Sequence, residues 1–200
     1  MYSWYAKTME AFKDVEIRPF KDQATWEKWL SSHYNQQAGV WIKFAKKNSG
    51  IPTVSYAEAL DVALCYGWID GQSRSYDDTW YLQKFTPRRA RSLWSKINIA
   101  KVEALIAAGK MQPAGQAAID AAKADGRWDA AYASQKDATV PDDLAAELAK
   151  DKGAQEFFES LTKANQYAFL WRLMTAKTPA TRASRLEKMV TMLKEGKSFH

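Results

Sequence analysis

Period-two patterning in this chain stops at Pro87. Before that point, short alternating runs are set between helical ones. After it, every apolar repeat has helical spacing. A chain whose strands are all gathered at one end has few ways to bury them. It forms a small sheet first and groups its helices afterwards, which is an α+β fold.

The alternating runs are Glu16–Phe20, Gly39–Lys47 and a pair, Trp68–Arg74 and Thr79–Phe85. Pro19 suits an edge strand, because proline donates nothing to a ladder. In the second run Val40, Ile42 and Phe44 face one way, while Trp41, Lys43 and Ala45 face the other. Asn48-Ser49-Gly50 closes that run with turn residues. The paired runs read as a hairpin about Ser75–Asp78, with Trp68, Asp70 and Gln72 on one face of its first strand and Trp80, Leu82 and Lys84 on one face of its second. The expected sheet is small, antiparallel or mixed, with about four strands.

Helices are predicted over 22–33, with Trp26, Trp29 and Leu30 on one face, and from Tyr56 to Gly67 behind the capping box Ser55-x-x-Glu58. Tyr56, Ala59, Leu60, Ala63 and Leu64 form its apolar stripe. After Pro87 come helices from about Trp94 to Ala108, Pro113 to Ala124, Pro141 to Lys150, Gly153 to Leu161, Thr162 to Ala176, and from Thr178-Pro179 to near Gly196. In the last of these, Leu186, Met189, Val190 and Leu193 form an apolar stripe. Tyr5, Met9 and Phe12 lie at helical spacing, so an N-terminal extension over residues 1–15 is expected to hold either a short helix or a frayed terminus. Residues 16–200 are expected to form a single domain, its sheet part about 16–92 and its helical part about 93–200.

Charge is unevenly placed. Lys84, Arg88, Arg89, Arg91, Lys96 and Lys101 fall within 84–101 without an acidic residue among them, which equals the net charge of +6 for the whole chain. A second basic stretch runs from Arg172 to Lys197. Cys65 is the only cysteine, which excludes an intrachain disulfide and fits a reducing compartment. The first twenty residues hold no continuous apolar run, and no stretch has the length of a transmembrane span, so the expected location is cytoplasmic. The two histidines, His33 and His200, are too few and too isolated for a zinc site. No phosphate-loop, dinucleotide or nucleophile-elbow motif is present, and no cofactor is implied.

Three segments could carry function. In Tyr66–Gln72, Gly67 and Gly71 leave the backbone open, Asp70 and Gln72 can bond a polar group, and Trp68 can cover it; the alternative is a tight connection with a buried indole. In Phe85–Asn98, Arg88, Arg89 and Arg91 precede a helix N-terminus beside Trp94, a combination suited to a phosphate, a carboxylate or a nucleic-acid backbone; the alternative is a solvated basic linker. The third is Lys43, Lys46 and Lys47 after Trp41, where Lys43 shares a face with Trp41, as a snorkelling lysine or as part of a site. Glu58 and Asp61 sit three residues apart on one helix and with Asp70 make a candidate acid/base set. Cys65, inside a helix, reads as a buried thiol.

The strings GVWIKFAKK, SYAEALDVALCYGWIDGQ, WYLQKFTPRRARSLWSKIN, KMQPAG and TAKTPATRASRLEKMV resemble the YdeI/OmpD-associated, or bacteriocin-protection, family from about residue 16 onward. The resemblance implies protection against bacteriocins or cationic peptides and association with an outer-membrane porin. It brings no established reaction and no catalytic residues. Its recurrent strings coincide with the two middle segments, which joins Trp68, Asp70, Gly71, Arg88, Arg89, Trp94 and Asn98 as one expected site. With Lys43, Gln72 and Trp80, that set would bind a small anionic ligand, the indoles stacking and the arginines holding the charge. The alternatives are a nucleic-acid-binding protein using 84–101 and 172–197, and an enzyme using Glu58, Asp61 or Asp70.

Overall fold

The alternating runs become one mixed five-stranded sheet. The computed structural model describes residues 11, 12, 14–47 and 49–199. Its strands are β1 (Ala11–Phe12), β2 (Val15–Pro19), β3 (Val40–Ala45), β4 (Trp68–Ser75) and β5 (Trp80–Pro87), in the spatial order β1-β2-β3-β5-β4. Only β2 and β3 run parallel. A parallel pair needs a crossover of a dozen residues or more, and α1 (Gln23–His33) supplies it.

The strand expected at the edge is not there. β1 folds back on β2, pairing Ala11 with Glu16 and Phe12 with Val15, so β2 lies between β1 and β3. Pro19 is tolerated because it is the last residue of β2. Phe12, expected on a helix or in a frayed terminus, is in a strand. Tyr5 and Met9 lie outside the described residues, as does Asn48 of the expected turn.

Both N-terminal helices are capped as their sequences require. The Thr25 amide donates to Asp22 Oδ1 at 2.8 Å, and Thr25 Oγ1 accepts from the Asp22 amide. For α2 (Tyr56–Cys65), the Ser55 amide donates to Glu58 Oε2 at 2.9 Å and the Glu58 amide to Ser55 Oγ at 3.3 Å. Each cap satisfies amides that the first turn of a helix leaves without a partner. The chain leaves α2 through Gly67 at φ +73°, where a Cβ would stand 2.8 Å from the Ala114 carbonyl oxygen.

The sheet's inner face is apolar and covered by α1 and α2. Val40, Ile42, Phe44, Trp68 and Phe85 are all buried there. The Trp26 ring lies 5.9 Å from Phe85 and 6.3 Å, edge on, from Trp68. Each such side chain contributes about 1.5–3 kcal/mol through burial.

After Pro87 the described elements are α3 (Lys96–Ala107), α4 (Pro113–Ala124), α5 (Asp142–Leu148), α6 (Lys152–Ser160), α7 (Lys163–Met174) and α8 (Pro179–Lys194). Pro141, expected as the first helical residue, is the N-cap of α5 instead. The chain forms two compact units. One holds the described residues through Ser92 together with Ala100–Asp125, and in it Gly115 of α4 has no room for a Cβ against the Cys65 carbonyl. The other holds Leu93–Ile99 and the residues from Gly126 onward. Its core joins Leu144, Leu148, Phe158, Phe169, Leu173, Met189 and Leu193 from α5 to α8.

Candidate functional site

The sheet's outer face differs in chemistry from its inner one. Antiparallel pairing sets Trp41 against Lys84, Lys43 against Leu82, and Ala45 against Trp80. On the other side of β5, Leu82 pairs with Arg74. Cross-strand partners share a face, so Lys43, Leu82 and Arg74 form one row across three strands, with Trp41 and Lys84 in the next. The hairpin turn adds Tyr76, whose amide donates to the Trp80 carbonyl at 3.2 Å.

Cations and rings interleave on this face. Lys43 Nζ sits 4.0 Å from the centre of the Tyr76 ring and 5.3 Å from that of Trp80. Lys84 Nζ lies 5.9 Å from the Trp41 ring, and the Arg74 guanidinium 4.6 Å from Phe12. Trp41 itself is buried with Val15, Ile17 and Leu82. Tyr76 and Arg74 are exposed, and Lys43, Trp80 and Lys84 half-exposed. Among the described strand residues on this side, none is Asp or Glu. Glu16 points to the opposite side with Arg18, to which it is bonded at 2.7 Å.

The expected site residues separate. Trp68 is fully buried, and its Nε1 donates to the Tyr34 carbonyl at 2.7 Å. It offers no stacking surface, because a large apolar ring under two helices stabilises more by being enclosed. Asp70 also lies on the inner side, where the Tyr56 hydroxyl donates to its Oδ2 at 2.9 Å. Burial and the neighbouring carboxylate push the Tyr56 hydroxyl far above the ordinary tyrosine range. Gln72 does not share a face with Trp68 and Asp70. A bulge places both Gly71 and Gln72 opposite Lys84, which flips the alternation and sends Gln72 and Arg74 outward. The Gly71 carbonyl accepts from Gln83 Nε2 at 2.8 Å.

Trp80 and Lys43 are therefore on the outer face, and Trp68 and Asp70 on the inner one. Arg88 follows β5, its amide bonded to the Gly67 carbonyl at 2.9 Å, and the Arg89 amide donates to Ser92 Oγ. In the other unit Trp94 is buried with its ring 5.1 Å from that of Trp128, and Asn98 donates its amide to Ser95 Oγ. Sequence reading overlooked Tyr76 and Arg74. The parity of Trp80, Leu82 and Lys84 pointed to this face, but nothing in the order of residues says that β5 lies beside β3.

Many cations without a local acid find partners across the fold. Lys101 Nζ bonds Asp61 Oδ1 at 2.6 Å. In the second basic stretch Arg182 holds Asp143 through two bonds of 2.7 and 2.8 Å and also donates to the Leu173 carbonyl. Arg185 donates to the Arg172 carbonyl at 2.6 Å. These carbonyls end α7, where the helix dipole favours positive charge. Lys194 faces Asp151 at 3.7 Å.

The three carboxylates considered for acid/base work are each engaged. The Ser55 amide and hydroxyl hold Glu58 below the usual carboxylate range, Asp61 pairs with Lys101, and Asp70 accepts from Tyr56. Burial raises the Cys65 thiol to about 11, which suits an inert core residue. Among the described residues, no group of three potential metal ligands converges and no helix is long and apolar enough to cross a membrane. A hollow of about 400 Å³ in the C-terminal unit is lined by Tyr132, Ala164, Tyr167, Ala168, Trp171 and Arg172, none of them an expected site residue.

Family comparison divides the chain much as its folding does. Residues 137–196, which contain α5 to α8, match the family described as Bacteriocin-protection, YdeI or OmpD-Associated. The resemblance expected from residue 16 onward is thus carried by the C-terminal part. No curated protein and no solved structure matches the chain. Residues 18–118, just over half of the 200, match a different model, and the protein accordingly belongs to the family described as Domain of unknown function (DUF8412), with a YdeI/OmpD-associated match in its C-terminal part.

Proposed function

We propose that this protein is a binding protein that takes a small anionic ligand on the outer face of its sheet. One observation carries the reading: Lys43, Arg74 and Lys84 are interleaved with Tyr76 and Trp80 on a face whose strand positions hold no carboxylate. Lysine and arginine supply charge-assisted donors, and the adjoining rings exclude water on one side, which strengthens those bonds. Arg74 adds the planar fork that grips a phosphate or carboxylate through two bonds.

The match at residues 137–196 supports a role in protection against bacteriocins. A cytoplasmic location, in keeping with the lone thiol, belongs to the same reading, and fractionation of cells making the native protein tests it. Isothermal titration against pyrophosphate, nucleotides, sugar phosphates and dicarboxylates tests the site. Arg74→Ala and Lys84→Ala are each expected to weaken the detected binding by ~10-fold, as loss of a charge-assisted bond does. Arg89→Ala, at the basic segment after β5, is expected to leave it unchanged. Affinity indifferent to Arg74 and Lys84 would overturn the site. Survival of cells challenged with a cationic bacteriocin, with and without the protein, tests the protective role.

A further inference from the structure

Resting on that reading of the outer face, we infer that the anion is a single-stranded nucleic acid, bound as a few nucleotides with bases on the rings and phosphates on the cations. A site for an isolated phosphate needs cations alone. Here the cations lie in two adjacent rows and are separated by rings. Tyr76 and Trp80 both flank Lys43, and Trp41 underlies Lys84. The face is also too long for one phosphate, since Trp80 and Lys84 are four residues apart on a strand, or about 13 Å.

Ring and cation together select the ligand. An aromatic side chain stacks on a base only when that base is out of a duplex, and stacking is indifferent to base identity because every base has a π-face. The exposed or partly exposed polar and aromatic side chains that the strands and Tyr76 bring to this face include Trp80, Lys43, Lys84, Arg74 and the bulge residue Gln72. None of the described strand positions on this face is an acid that would repel a phosphate chain, and in the turn the Asp77 carboxylate accepts from the Thr79 and Trp80 amides. A sheet that combines aromatic platforms with basic neighbours is also how single strands are held in other folds. The inner face shows the contrast: Trp68 and Phe85 are closed off beneath α1 and α2, so no base can reach them.

The test compares a fluorescently labelled thymidine oligonucleotide with an abasic oligodeoxyribose phosphate of equal length, and with a duplex, by anisotropy at two salt concentrations. The full-length protein is used. The oligonucleotide is expected to bind at least ~10-fold more tightly than the abasic strand, as stacked bases provide. Trp80→Ala should remove that margin and Trp80→Phe should keep it, with circular dichroism confirming that both variants fold. Three phosphate contacts predict a salt slope of about −2. Equal affinity for oligonucleotide and abasic strand would overturn this inference while leaving the anion site standing. Binding of neither strand would overturn this inference, and pyrophosphate titrated in parallel would decide the anion site: binding keeps it, and no binding overturns it as well. Equal or tighter binding of the duplex would overturn the single-strand assignment.

Discussion

The two faces of one sheet have opposite fates. Both are rich in aromatic rings and are built by the same strands. On the inner face Trp68 and Phe85 are enclosed by Trp26 and its helices, and Arg18, the cation beside Ile42, lies over Trp29 and is bonded to Glu16. On the outer face Trp41 is covered partly by Phe12 and partly by Lys84, while Trp80 and Tyr76 remain beside Lys43. Rings alone therefore do not mark a site. Among the described residues, what distinguishes the outer face is that its rings lie beside long, flexible cations, while those of the inner face lie beneath helices. Such cations can be moved aside or bridged by a ligand at small cost, whereas a close-packed helix cannot.

Substitutions on the two faces are expected to fail in different assays. Trp68→Ala leaves a cavity in a close-packed core and is expected to cost about 3–5 kcal/mol in urea denaturation. Trp80→Ala, half-exposed on the other face, is expected to cost about 1 kcal/mol and to show itself in ligand affinity instead. Equal stability losses would end the comparison. The backbone offers a second contrast. Gly67→Ala introduces a Cβ at φ +73° against the Ala114 carbonyl and is expected to destabilise by about 1–3 kcal/mol. Gly109→Ala, at φ +67° with nothing within 4 Å, should cost less.

A smaller effect concerns a cation that the chain pairs with its own carboxylate. Hydrogen bonds from Arg182 hold the Asp143 carboxyl below its ordinary range. A depressed carboxylate contributes stability above its unfolded value near 3.8 and loses it as pH falls through the folded value. Both side chains are about one-third exposed, so screening limits the pair to about 0.5–1 kcal/mol. Asp143→Asn should remove that contribution at pH 6 and flatten the loss of stability between pH 4 and 2. Lys84→Ala should leave the acid limb of the stability curve as it is. The least energetic prediction concerns Cys65. With its thiol raised to about 11 and buried, it should react with iodoacetamide at pH 8 far more slowly in the native protein than in urea. Equal rates would place Cys65 outside the core.

Much of the fold was legible locally. The capping boxes at Asp22 and Ser55, the stop at Gly67 and the Thr178-Pro179 start all follow from backbone groups that need partners within three or four residues. The buried stripe of Met189, Val190 and Leu193 follows from a 3.6-residue period. The candidate site was legible only in part. Lys43 with Trp41, and Trp80 with Lys84, could each be assigned to one face of a strand by parity. The expected union of Trp68, Asp70 and Gln72 on one face failed at the bulge, because a single extra residue at Gly71–Gln72 reverses every side chain beyond it.

The sequence by itself determined which residues cap, turn, alternate and repeat, since those depend on contacts a few residues away. Tertiary structure alone decided that β5 lies beside β3, that Trp68 is covered while Trp80 is not, and that Lys101 and Arg182 find acids about forty residues distant. The reason is physical. Burial and charge pairing depend on distance in space, and two surfaces far apart along the chain meet only once the whole sheet and its helices have packed.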